Sequence, residues 1–138
     1  MTLNKKEIKI SSVSLNLNQI ESFVKEIFDY LKLRKELFYK VLICVNEAVI
    51  NSISHGNRYD ERKIVVVQSF FCTEYLYFRI IDEGEGFDYH DLPDPTAHEN
   101  IFKETGRGIY MIKNISDEIS FREKGNIIEF KIKLDGKN

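Results

Sequence analysis

The 138-residue chain has no tryptophan, two prolines and two cysteines. Two cysteines are too few for a disulfide scaffold, and Cys44 and Cys72 make no metal-type pair. Both are read as buried free thiols of a reducing compartment. Any block of like charge is missing too: 20 basic and 22 acidic side chains are spread along the chain and leave a net charge of −2. That balance supplies no electrostatic reason to expect a nucleic-acid or membrane partner. No run is long and apolar enough to be read as a bilayer span. Met1 to Ile10 carries Lys5, Lys6, Glu7 and Lys9 and lacks the apolar stretch of a signal peptide. The expected location is cytoplasmic. No repeat, low-complexity tract or linker interrupts the chain, so one domain over 1–138 is expected. What is plentiful is core material. Hydrophobic residues make up 43%, with ten Phe and seven Tyr, which excludes disorder for most of the length.

Periodicity outlines the elements. Residues 5–13 alternate weakly, as an edge strand would. Asn18 followed by Glu21 resembles a capping box, and Ile20, Phe23, Val24, Ile27, Phe28 and Leu31 then recur at helical steps. A second helix is expected from about Glu36 to His55, with Phe38, Val41, Leu42, Val45, Val49 and Ile53 on its apolar face and a cap at Gly56-Asn57. Lys63–Phe71 and Tyr75–Asp82 read as strands joined at Cys72-Thr73-Glu74. About 20 polar residues follow, with Pro93 and Pro95; loops of this length are usually functional or mobile. His90 and His98 stand in that loop without a recognised metal-ligand spacing. A short helix is expected from near Gly108 to Ile115. A hairpin, Glu118–Lys124 and Ile127–Leu134, turns at Gly125-Asn126. Partly segregated strands and helices predict an α+β two-layer sandwich, its helices on one face of a mostly antiparallel, mixed sheet.

Three motifs can carry chemistry. On the second helix, Glu47 and Asn51 lie one turn apart, on a face turned away from Val45 and Val49. A carboxylate and a carboxamide so placed can polarise a hydroxyl and ligate Mg²⁺, which prefers oxygen; a solvated helix face is the plain alternative. Asp82-Glu83-Gly84-Glu85-Gly86-Phe87 ends a strand. Its glycines let the backbone approach a flat ligand, and Asp82 can accept a hydrogen bond from an exocyclic amine. A calcium loop is excluded because Gly84 and Pro93 fall where carboxylates are required, and a simple acidic turn remains open. Thr105-Gly106-Arg107-Gly108 opens a helix, where free N–H groups favour anions; Arg107 or Lys103 can add charge. It is neither a Walker loop nor a dinucleotide fingerprint.

In order and spacing, the three together resemble the gyrase/histidine-kinase-like ATPases, the Bergerat fold, over about Ile8 to Leu134. Asn46 to Gly56 looks like that family's N box, Asp82 to Phe87 like its first glycine box, and Gly106 to Ile112 like its second. The resemblance implies Glu47 as general base, Asn51 as Mg²⁺ ligand and Asp82 as adenine acceptor. It places Gly84 and Gly86 under the adenine and Thr105, Gly106, Arg107 and Gly108 toward the phosphates. An ATP lid would span about 88–105. A chain of this length, with no His before His55, is most similar to the anti-sigma factor serine kinases. That branch implies ATP and Mg²⁺, a small anti-anti-sigma-like antagonist protein phosphorylated on serine, and a sigma factor as a further partner. The oligomeric state stays open, a homodimer included. Two other mechanisms also stay open: an ATP-dependent binding switch without transfer, and a detached histidine-kinase catalytic domain working in trans.

Overall fold

The computed structural model describes residues 3–12, 17–84, 104–122 and 126–134, with side chains of the third stretch from Gly108 onward. The elements run β1 (Asn4–Ser11), α1 (Leu17–Leu31), α2 (Lys35–Asn51), a π turn (Ser52–Gly56), β2 (Ile64–Phe71), β3 (Tyr75–Ile81), α3 (Glu104–Ile115), β4 (Glu118–Arg122) and β5 (Ile127–Lys133). The strands form one sheet in the order β1-β2-β3-β5-β4. All four pairings among the described residues are antiparallel, in line with the mostly antiparallel sheet expected.

Strand alternation sorts side chains to two faces. Ile10, Val65, Val67, Leu76, Phe78, Ile80, Ile128, Phe130 and Ile132 turn inward and are buried. Phe78 and Phe130 stack across β3 and β5 with ring centroids 5.3 Å apart. The helices supply the other half of this core. α1 buries Ile20, Phe23, Val24, Ile27 and Phe28, the stripe its sequence spells out. Lys32 takes a left-handed conformation (φ 56°) at its end, and the Leu33 N–H returns to the Phe28 carbonyl at 3.0 Å, closing a Schellman-type stop. α1 begins at Leu17, so Asn18 lies inside the first turn rather than at the expected cap position.

α2 packs against both α1 and α3. With the π turn it forms 22 helical residues, long and apolar enough by composition to cross a membrane. Here its apolar residues Leu37, Val41, Val45, Ala48, Val49 and Ile53 are core against the sheet and its neighbours. Cys44 is buried among them, its thiol pushed up to about 12 by burial and by the nearby Glu47 charge. Cys72 is also free and buried, as expected.

The helix-free face of the sheet carries a charge network. Glu129, 2% exposed, accepts from Arg79 Nε at 3.0 Å and Arg122 Nε at 2.8 Å. Burial would raise its carboxyl, but hydrogen bonds from Tyr77 and Arg122 and the guanidinium charges hold it below the usual range.

Because Phe130 lies fully inside the core, Phe130→Ala should lower unfolding free energy by about 3–5 kcal/mol. Urea titration followed by circular dichroism measures this; a loss near zero would mean the two layers are not held by this stacked pair.

Candidate functional site

The site lies where the end of the long helix meets the end of β3. α2 changes to π winding after Asn51, one of the local irregularities that recur at functional sites. That winding sets Ser52 and Gly56 against Asp82. The contact is close: a Cβ built on Gly56 would fall on the Asp82 carboxylate, and one built on Gly84 would fall on the Gly56 carbonyl group. Gly56 was expected as a helix cap. It does end the helix, but its lack of a side chain serves this approach, and the left-handed residues of the turn are Arg58 and Tyr59.

Asp82 is 4% exposed. Its Oδ1 accepts the Gly84 N–H at 2.8 Å. The buried Ser52 hydroxyl stands beside the carboxylate and has no hydrogen-bond partner among the described residues. Burial raises the Asp82 carboxyl; the Gly84 N–H, the Lys63 charge and Ser52 oppose this only in part. The backbone of Asp82 is clamped by the β4–β5 turn. Its N–H donates to the Asn126 carbonyl at 3.0 Å, and Asn126 Nδ2 donates to its carbonyl at 3.2 Å.

Upstream on the helix, Asn51 is 8% exposed and its Oδ1 has no hydrogen-bond partner among the described residues. The solvated-face alternative therefore fails for Asn51. A buried carboxamide oxygen without a partner suits a hard cation. Glu47, one turn earlier, is half-buried. It faces α3, where a Cβ on Gly108 would lie 2.9 Å from its Oε2. From Glu47 to Asn51 the α-helix rises about 6 Å at 1.5 Å per residue, and the π turn carries the chain on to Gly56 beside Asp82. Asp82 thus stands at the end of this helical stretch, and the oxygen groups of Glu47 and Asn51 lie earlier along it.

α3 starts at Glu104, not near Gly108, so Gly106 and Gly108 stand within its first turns. Of Thr105, Gly106 and Arg107 only the backbone is described, and it forms that helix start. Gly86, nearly all of the expected lid, His90 and His98 fall outside the described residues. Among the described residues no group of three His, Cys, Asp or Glu could hold a metal ion. Sequence reasoning missed Ser52, Asn57 and Asn126. Ser52 had no signal beyond being one residue past Asn51, and the two asparagines looked like ordinary cap and turn residues.

The sequence profile of the histidine kinase-like ATPase domain matches residues 11–132. The chain belongs to this ATPase family. Within it the chain is similar to an anti-sigma F factor of Clostridium perfringens (strain 13 / Type A), 25% identical over 129 residues that cover 90% of this chain and 84% of the relative. It is also similar to the serine-protein kinase RsbW of Bacillus licheniformis, 28% identical over 85 residues, 56% of this chain and 52% of the relative. The RsbW of Staphylococcus aureus (strain MSSA476) is 27% identical over 92 residues, 60% of this chain and 57% of the relative. The α+β architecture, helices over one antiparallel sheet, is that of an ATPase domain.

Two outcomes test this geometry. The folded state raises the Asp82 carboxyl above 3.8. Its favourable share of stability is therefore full below that value and is lost as pH rises through the folded value. Asp82→Asn should melt at or above the parent temperature at pH 7, the gap closing as pH falls toward 4; a large loss at pH 7 would mean that hydrogen bonding outweighs burial. Separately, Gly84→Ala should cost about 1–3 kcal/mol or more, because backbone blocks the new methyl. Gly108→Ala meets only the far end of Glu47 and gains up to about 1 kcal/mol of helix propensity, so its melting temperature should hold. Equal losses in the two variants would contradict the site geometry.

Proposed function

We propose that the chain, as one histidine kinase-like ATPase domain over 1–138, is a cytoplasmic anti-sigma factor-like serine kinase. It binds ATP with Mg²⁺ and transfers the γ-phosphate to a serine of a small antagonist protein. The observation that carries this reading is the buried Asn51 Oδ1, without a partner among the described residues, one turn from Glu47, which faces the second glycine motif at Gly108. The names of the relatives, anti-sigma F factor and serine-protein kinase, support the same class.

Each residue then has a task. Asp82 accepts the adenine amine, while Gly84 and Gly86 let the base lie flat on the backbone. The backbone N–H groups of Thr105 and Gly106, with Gly108 and the charge of Arg107, meet the phosphates at the start of α3. Asn51 supplies a carboxamide oxygen to Mg²⁺; when bound, the ion neutralises phosphate charge. Glu47 takes the proton from the incoming serine hydroxyl. The serine oxygen forms the new bond to phosphorus as the bond to the ADP oxygen breaks, and ADP leaves with that electron pair. Positioning and charge stabilisation do most of the work in such transfers. A sigma factor is the second partner of this reading, and a homodimer is compatible with it.

Glu47→Gln keeps the shape of the side chain and loses the base. It should bind ATP like the parent and transfer phosphate about 10²–10⁴-fold more slowly. Asn51→Ala should weaken Mg²⁺-dependent nucleotide binding itself. Calorimetry, with phosphosite mapping of captured partners, reads both. Parental transfer by a folded Glu47→Gln protein would remove Glu47 as base. Acid-labile phosphohistidine on the partner would favour a histidine-directed enzyme, and nucleotide-dependent capture without any transfer would favour a binding switch.

A further inference from the structure

Asn57 follows the π turn and is 1% exposed. A buried carboxamide must place one acceptor and two donors. Oδ1 accepts the Glu83 N–H at 2.7 Å. Nδ2 donates to Ser12 Oγ at 2.8 Å and to the Ile64 carbonyl at 3.0 Å. The main chain is engaged as well: the Asn57 N–H donates to the Ser52 carbonyl at 2.8 Å, and its carbonyl accepts the Asp60 N–H at 3.0 Å. One residue therefore joins the end of β1, the π turn, the start of β2 and the segment leaving β3.

That last segment matters most. Glu83 stands between Asp82 and Gly84, and its own carboxylate accepts the Ile64 N–H at 2.7 Å. With the Glu83 N–H held by Asn57, the segment cannot slide along the helix end. The separation of Gly84 from Gly56, and the direction of the Asp82 carboxylate between them, are set from this side. Asn126 holds Asp82 from the other. The two residues after Asn57, Arg58 and Tyr59, have φ of 52° and 58°, a region disfavoured for side-chain-bearing residues. The turn keeps that backbone while Asn57 stays anchored.

We propose that Asn57 is the positioning residue of the base end of the nucleotide site. It holds the Asp82–Gly84 segment where the Asp82 carboxylate selects adenine over guanine. This rests on the reading of Asp82 as the base-selecting group. Asn57 itself touches no ligand. A carboxylate only accepts hydrogen bonds, so it pairs with an exocyclic amine and not with a ring carbonyl. That discrimination lasts only while the carboxylate is held in place.

The test is calorimetric binding of ATP and of GTP, each with Mg²⁺. It uses the full chain well below each melting temperature, with the folded fraction measured by circular dichroism. The variants are Asp82→Asn, Asn57→Ala, Asn57→Asp and Ser12→Ala. The parent should prefer ATP, and Asp82→Asn should erase the preference. Asn57→Asp retains the acceptor for Glu83 and loses both donors; its ATP:GTP affinity ratio should fall about tenfold, the order expected for unpaired buried polar groups. Asn57→Ala should fall further and Ser12→Ala less. If Asn57→Ala does not fold, Asn57→Asp and Ser12→Ala decide on the same ratio. Lower melting temperatures with the parental ratio, while Asp82→Asn still erases the preference, would make Asn57 a structural residue only. A parent without preference, unaffected by Asp82→Asn, would instead overturn the base-site reading and this proposal with it.

Discussion

Gly84 lies against the backbone of Gly56, and Gly56 against the Asp82 carboxylate, so closely that neither position has room for a side chain, and much of the molecule is arranged around that approach. It requires the long helix to end at one place, with a π turn delivering Gly56. It requires β3 to stop at Ile81 so that Asp82 can leave the ladder and fold its carboxylate back onto the Gly84 N–H. It also requires the two layers to be held at constant separation, which the apolar interior between α2 and β3 provides. Interiors packed to crystal-like density resist small shifts. The cleft is thus a by-product of a rigid two-layer core meeting a contact that tolerates no added carbon.

The electrostatics of the two faces differ in kind. On the open face Glu129 is buried but paired with two guanidiniums, so its charge is compensated. Under the helix end Asp82 is buried with no ion pair among the described residues, its carboxylate accepting one amide, with Ser52 and the Lys63 charge as further influences. The first arrangement serves the fold. The second leaves a charged acceptor under-satisfied, the kind of local cost that folds retain where a ligand must be recognised. The Asn51 oxygen, without a partner among the described residues, has the same character. Asp82 and the Asn51 oxygen are thus two incompletely paired polar groups, one at the strand exit and one at the end of α2, and Asn46 Oδ1 and Ser52 Oγ on the same helix also lack partners among the described residues.

Much of this was legible in the sequence. The apolar stripe of α1, the alternation of β2, β3 and β5, and the acidic, glycine-bearing strand exit are short-range patterns, and they led to the right elements and layers. Glu47, Asn51, Asp82, Gly84 and Gly108 were singled out from residue type and spacing; in the fold Gly108 lies against Glu47, and Gly84 lies against Gly56, which adjoins Asp82. What stayed hidden depends on contacts between distant segments. No local pattern says that Gly56 serves Asp82 rather than a helix cap, or that Asn57 reaches Ser12, 45 residues away. The start of α3 was placed too late because two glycines in a row of four residues weaken the helical signal that tertiary packing restores. The strand order β1-β2-β3-β5-β4 was likewise out of reach, since it is set by pairings between distant segments.

The Asn126 clamp has a consequence for the order in which the chain is made. Asp82 is bonded through both its N–H and its carbonyl to a residue 44 positions further on. During synthesis the helices, β2 and β3 can assemble on the ribosome while this partner is still untranslated. Asp82 would then sit at a frayed strand end with its main chain open to water. Only when the final hairpin emerges and zips onto β3 does the strand exit acquire its fixed form. A strand exit fixed only when β5 pairs with β3 keeps a growing chain that still lacks Asn126 from presenting a finished site.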